Sequence, residues 1–339
     1  MEGMIRGALA GSAIGLPFQG RDPMLESEIA ELPPDTFSKE PTVPVGSHPP
    51  GSWSSLLEPL FLAVQALREN EDILDETVTA ETVHNFTGSF SRRLIRWAND
   101  GAATWGPPHE TEFQTLALSK VEGFSEKPLH VVPTQQQNLN DCCVLARALL
   151  AAVQTLPEQA ERLAILLCNT THSSRSLSTS CIAVALILQS TLYNTREQRQ
   201  AVMDYIGHRI DSHTQGAENE KIFAALTAVP LSHIGGRDFI GRHLSSLRCF
   251  MHAYRECVAS DSDSIAPVDL DALWVKVMRN ICVQGGSSGI NGALAGAIIG
   301  AYHGPDAIPN WVERLPHYGW VSDHIKLMLV RSKPPADVQ

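Results

Sequence analysis

The chain has 339 residues, with 37 acidic and 26 basic side chains and a formal net charge of −11. At 43% hydrophobic and 19% charged residues it carries ample material for a core. No basic run or stripe is present to offset phosphate repulsion, which argues against nucleic acid as a partner.

The first turn signals come from the proline-rich segment 33–50, a loop that feeds into Trp53, Ser54 and Ser55 and is expected to lie over a site. Leu56, Leu57, Leu60, Phe61, Val64 and Leu67 then form a helical stripe that predicts a helix over 54–69. Similar spacing predicts helices over 76–98, 109–122, 141–155 and 158–168. The run from Ile182 to Leu192 is apolar nearly all round, so its helix belongs in the centre of the molecule. Helices over 196–211, 217–228, 237–258, 269–283 and 291–303 follow. Nothing alternates for long enough to predict a strand, and residues 332–339 form a tail. No apolar stretch reaches the roughly 18 residues that a membrane-spanning helix needs. The seven cysteines contain no C-x-x-C pair, and several sit inside apolar helical runs, so buried thiols are expected.

Gly292, Gly296 and Gly300 recur every four residues and leave one helical face without side chains. Each costs up to about 1 kcal/mol in a helix interior, which calls for another helix packed closely against that face. Before this helix comes the turn Gln284-Gly285-Gly286-Ser287-Ser288-Gly289-Ile290-Asn291, whose backbone N–H groups and small hydroxyls suit an anion or other ligand.

At these residues the chain resembles the ADP-ribosylglycohydrolases, which include the dinitrogenase-reductase-activating glycohydrolases. That family carries G-G-D-T-D-T-N-A, then G-A-L-A-G-A-Y-Y-G, then I-P-x-W. The glycines, Asn291, Tyr302, Gly304 and Ile308-Pro309-Asn310-Trp311 match. Gly7 to Gly15 is similar to the family's opening helix, which makes a signal peptide the weaker reading of the first 20 residues. Gly51-Ser52-Trp53-Ser54-Ser55-Leu56-Leu57-Glu58 is similar to G-x-W-T-D-D-T-E. Trp97, Asn140 and Thr171-His172-Ser173 also fall on family positions. The resemblance spans roughly residues 3–320 and implies an all-α, compact orthogonal helix bundle, with one domain over 1–331.

The resemblance also implies two magnesium ions held by aspartates, and here the chain departs from it. The aspartate positions are occupied by Ser55, Leu56, Ser287 and Gly289, with Leu16 in place of another. Neutral hydroxyls do not offset the desolvation of a divalent cation, so no metal and no cofactor are expected. The candidate ligand-binding set is Trp53, Ser54, Ser55, Leu56, Leu16, Asn140, Gly286, Ser287, Ser288 and Asn291. Candidate catalytic groups are His172, a proton shuttle near neutral pH; Glu58, one turn along from Ser54; and Asp141. Each has a plainer alternative. His172 is then a buried hydrogen-bonding or capping residue, Glu58 a solvated or paired carboxylate, and Asp141 the N-cap of the following helix. Trp53 and Trp105 offer rings for stacking or for the core, and His208, His213 and His233 read as surface.

Three functions follow as expectations. One is a protein that has lost ADP-ribosyl hydrolysis and binds a small molecule in a reshaped cleft. Another is a metal-independent enzyme working through His172, Glu58 or Asp141, for example in specialised metabolism. The third is a structural protein resembling the family's crystallin-like members. A cytoplasmic monomer, with a small-molecule partner and no contact with nucleic acid or membrane, is expected throughout.

Overall fold

A computed structural model describes residues 1–45, 49–75, 78–100, 142–172, 174–213, 217–227, 243–262 and 267–331. The described residues are helical and contain no β-strand. The helices are α1 (Glu2–Gly15), α2 (Glu26–Glu31), α3 (Glu58–Glu69), α4 (Ala80–Asp100), α5 (Cys142–Ala151), α6 (Pro157–Asn169) and α7 (Arg175–Tyr193). They continue with α8 (Arg196–His213), α9 (Ala217–Thr227), α10 (His243–Ser262), α11 (Leu270–Cys282), α12 (Ser288–His303) and α13 (Tyr318–Arg331). The helix expected over 109–122, and the tail, lie outside the described residues.

The centre is an antiparallel pair. Helices α1 and α12 bury every residue from Gly3 to Gly15 and from Ser288 to Gly300. A Cβ placed on Gly7 would stand 2.0 Å from Gly296 O, and one on Gly11 1.9 Å from Gly292 O. Gly3 meets Gly300 in the same way, and Gly15 meets Ser288. Four successive turns therefore touch backbone to backbone, and only hydrogen fits between them. The close approach that the α12 glycines call for is thus made by the first helix of the chain. The one charged side chain among its buried residues, Arg6, reaches outward to Glu2 at 3.5 Å and Glu313 at 3.0 Å.

Around this pair, α10 and α11 cover one side of α12, while α5 and α7 contact it from another. Helices α5, α6 and α7 pack against one another, α3 lies between α4 and α5, and α13 closes over α3. Helix α7 corrects one expectation. By length and composition it could cross a membrane, but 83% of its most apolar window is buried inside the protein. It begins earlier than the apolar run because Ser174 accepts a hydrogen bond from Leu177 N at 3.3 Å and caps it.

Helix α5 ends at Ala151 rather than at 155. Pro157 starts the next helix and holds Leu156 extended before it. The carbonyls between them are taken by side chains of α7: Tyr193 Oη donates to Val153 O at 2.8 Å, and Gln189 Nε2 donates to Gln154 O at 3.0 Å. All seven cysteines are buried thiols.

The segment after α2 is fastened to the body by its backbone. Phe37 stacks on Phe18 with centroids 5.7 Å apart. Trp274 Nε1 donates to Phe37 O at 3.0 Å, and Trp311 Nε1 to Ser38 O at 2.9 Å. Phe18 belongs to the short 3-10 turn Leu16–Phe18 that follows α1, so this half of the proline-rich stretch lies beside the end of α1.

Candidate functional site

Because α1 and α12 run antiparallel, the C-terminal end of one meets the N-terminal end of the other. Ser288 Oγ donates to Gly15 O at 2.8 Å and ties the two ends together. A third segment arrives from the proline-rich side, where Ser54 N donates to Ser12 Oγ at 3.0 Å. Ser54 Oγ accepts from Leu56 N at 3.3 Å and caps the short 3-10 turn Ser55–Leu57. Leu16, Ser54, Ser55, Leu56, Ser287, Ser288 and Asn291 are all buried at or beside this junction. Segments far apart in sequence thus converge on the residues selected from the two serine-bearing motifs.

The turn ahead of α12 owes its shape to Gly285 and Gly286, at φ +67° and +61°. These left-handed conformations strain any residue with a Cβ. At Gly285 a Cβ would also stand 2.2 Å from Arg21 O. The chain leaving α1 is stitched to this turn: Gly20 N donates to Gly286 O at 2.7 Å, and Gly286 N donates to Arg21 O at 2.9 Å. Asn291 is engaged from another layer, its Oδ1 accepting from Ser246 Oγ of α10 at 2.6 Å.

The remaining sequence candidates divide. Trp53 is fully buried, its Nε1 donating to Pro316 O at 3.1 Å and its ring meeting Phe61 edge-on. Glu58 is likewise fully buried and accepts from Trp97 Nε1 at 2.6 Å. His208 is exposed on α8. Asn140 and Asp141, with Trp105 and His233, lie outside the described residues.

His172 follows α6, half-buried, with Nδ1 2.8 Å from Thr171 Oγ1. That oxygen also accepts from Arg147 NH1 at 2.7 Å. Thr171 Oγ1 thus links the buried Arg147 guanidinium to the His172 ring. Arg147 is buried in α5 over the Phe90 ring, 5.6 Å from its centroid, and also donates to Leu167 O at 3.1 Å. Burial pulls its pKa down, partly countered by the neighbouring Cys143, Cys168 and Cys181. Burial pushes the Cys181 thiol well up, so it stays protonated and is no nucleophile.

Several contributors were missed by sequence reading. Ser12 and Arg147 did leave a signal: each is polar with small or apolar residues on either side in its helix and needs a buried partner. Ser246 left none.

Among the described residues, no group of three or more His, Cys, Asp or Glu side chains is placed to hold a metal ion. A family model described as ADP-ribosylglycohydrolase matches residues 1–336. Among solved structures, a chain described as an ADP-ribosylglycohydrolase-related protein complex shares the fold at TM-score 0.58 and 19% identity, with 97% of this chain and 96% of that one covered. No curated protein matches. With the glycine-packed helix pair, the serine-lined junction and a family match over almost the whole length, the chain belongs to the ADP-ribosylglycohydrolase family.

Proposed function

We propose that this member of the family has lost metal-dependent ADP-ribosyl hydrolysis and uses the junction of α1, α12 and the Ser54–Leu56 turn for a small molecule. The observation that carries the reading is the donor set. The junction presents serine hydroxyls, leucines and glycines, and the hydroxyls already bond to the fold: Ser12 and Ser54 accept backbone N–H groups, and Ser288 donates to Gly15 O. Magnesium requires near-octahedral oxygen ligation, normally with carboxylates, and these neutral groups do not fit it. Glu58, the nearest carboxylate along the chain, is held by the Trp97 indole inside the core. Leu16 and Leu56 make the walls apolar and favour a less charged ligand. The overall acidity of the chain supports a small-molecule partner over nucleic acid.

Hydrolysis of ADP-ribosyl-arginine and ADP-ribosyl-serine tests this reading. The expected result is no turnover with or without added magnesium. Magnesium-dependent turnover abolished by EDTA would sink it. Thermal-shift screening of metabolite extracts then identifies the ligand.

A second reading, metal-independent acid–base catalysis, is favoured by one observation: Thr171 and Arg147 orient His172. Once a ligand is known, turnover of it that survives His172→Ala removes this alternative.

A further inference from the structure

A chain of polar side chains crosses from α13 to α4 by way of α3, and its hydrogen-bond directions are fixed from one end. Arg93 of α4 donates from Nη1 to Gln65 Oε1 of α3 at 3.0 Å and from Nη2 to Glu69, which also accepts from Ser89 Oγ at 2.6 Å. A guanidinium only donates. The Gln65 carboxamide therefore turns its oxygen to Arg93 and its NH2 group to His324, whose Nε2 lies 2.9 Å away. His324 Nε2 is left to accept, so the ring proton sits on Nδ1 and is donated to Trp320 O at 2.8 Å. Burial lowers the pKa of this ring, against the Trp320 carbonyl and Asp323, which raise it. Other charges around α13 have partners of their own. Asp323 pairs with Lys326 at 3.0 Å. Arg6 of α1 pairs with Glu2 and with Glu313 near Tyr318, and Arg314 pairs with Glu40. On α3, Glu58 is held by Trp97 and Glu69 by Arg93, while Arg68 is exposed.

The interface of α3 and α4 thus carries three polar rungs in antiparallel order: Glu58 with Trp97, Gln65 with Arg93, and Glu69 with Ser89. The middle rung ends on a group that titrates near neutral pH. A second proton, on His324 Nε2, would set N–H against N–H. Turning the carboxamide over relieves that clash but points its NH2 group at Arg93, another donor. Gln65 can satisfy only one of its two neighbours once the ring is charged. We propose that His324, Gln65 and Arg93 form a proton-operated latch: a proton taken up at His324 Nε2 turns the Gln65 carboxamide over and releases Arg93, which loosens α4 on α3 while α13 stays bonded. The latch is independent of what the serine junction binds. It nevertheless acts beside that junction, since α3 begins directly after the Ser55–Leu57 turn and Arg93 lies one helical turn from Trp97.

Two measurements test it. The first is nuclear magnetic resonance of protein carrying 15N-labelled histidine, with the His324 signals identified by their loss in His324→Gln. At pH 8 the ring is expected as the tautomer protonated at Nδ1, and the opposite tautomer overturns the proposal. The midpoint of its titration is expected to move to higher pH in Arg93→Met, because Gln65 is then free to turn. It should stay in place when Arg93→Met is added to Gln65→Leu. Equal movement in both backgrounds would mean that Arg93 acts on the ring through its charge alone. That result, or no movement in either, overturns the latch. The second measurement is hydrogen exchange of the α4 amides, corrected for the intrinsic effect of pH. Exchange is expected to quicken about fivefold as pH falls through the His324 midpoint, the worth of one hydrogen bond, and to stay level in His324→Gln. No change in the native protein, or the same change in both proteins, overturns it as well.

Discussion

Replacing Gly7 with alanine probes the central helix pair directly. The added methyl carbon would stand 2.0 Å from Gly296 O, 2.5 Å from Gly296 C and 3.1 Å from the Ile308 side chain. Carbon atoms pack comfortably at about 3.5–4 Å, so the helices would have to part by roughly 1.5 Å at this turn. The obstacle is backbone, which cannot rotate out of the way. Parting there loosens the neighbouring turns, where Gly3–Gly300 and Gly11–Gly292 are packed just as tightly. Overpacking of this kind costs about 1–3 kcal/mol and occasionally more, against a propensity gain of up to about 1 kcal/mol. The expected net loss is about 1–2 kcal/mol, a fall in Tm of roughly 1–3 °C for a chain of this length. Urea denaturation followed by far-ultraviolet circular dichroism measures it. Gly319→Ala in α13 is the control, since a Cβ there has nothing within 4 Å. It should be neutral or slightly stabilising. If Gly7→Ala is as stable as that control, the backbone contact is not what sets the spacing of α1 and α12.

Trp97→Phe keeps the ring but removes the donor to buried Glu58. A loss of about 1–3 kcal/mol is expected in chemical denaturation, and no loss would mean that the carboxylate is satisfied elsewhere. His324 of α13 is buried against Phe61 and Trp320, with Nδ1 2.8 Å from Trp320 O and Nε2 2.9 Å from Gln65 Nε2. Burial, partly countered by the Trp320 carbonyl and Asp323, lowers its pKa in the folded protein. A group depressed on folding binds protons more readily when unfolded. Its cost to stability therefore begins as pH falls below the unfolded value of about 6.5 and grows down to the folded pKa. His324→Gln should flatten the decline in Tm between pH 7.5 and 5; an unchanged slope would assign that decline to other groups.

Much of the helical plan was legible because periodicity is a local signal. The stripe from Leu56 to Leu67 and the all-round apolar run of α7 report their burial residue by residue. Helix ends were less legible. Ala151 ends α5 because Tyr193 and Gln189 take the following carbonyls, and those partners lie 34 to 40 residues away. The serine junction could be assembled from its motifs, since each segment is recognisable alone. The roles of its neighbours could not: Glu58, one turn beyond Ser55, reads as a base or as a solvated or paired carboxylate, and only the fold brings Trp97 against it. Gln19 shows the limit most clearly, since nothing in Leu16-Pro17-Phe18-Gln19 indicates that its amide reaches Gly289.

The pairing of α1 with α12 has a consequence for biosynthesis. Gly15 and Ser288, bonded in the folded protein, are 273 residues apart in the chain. During translation α1 leaves the ribosome long before α12 exists, and its oily surface stays uncovered until those intervening residues are made. Productive folding of the core thus waits until α12 has been synthesised, and that interval is when the nascent chain depends most on chaperones.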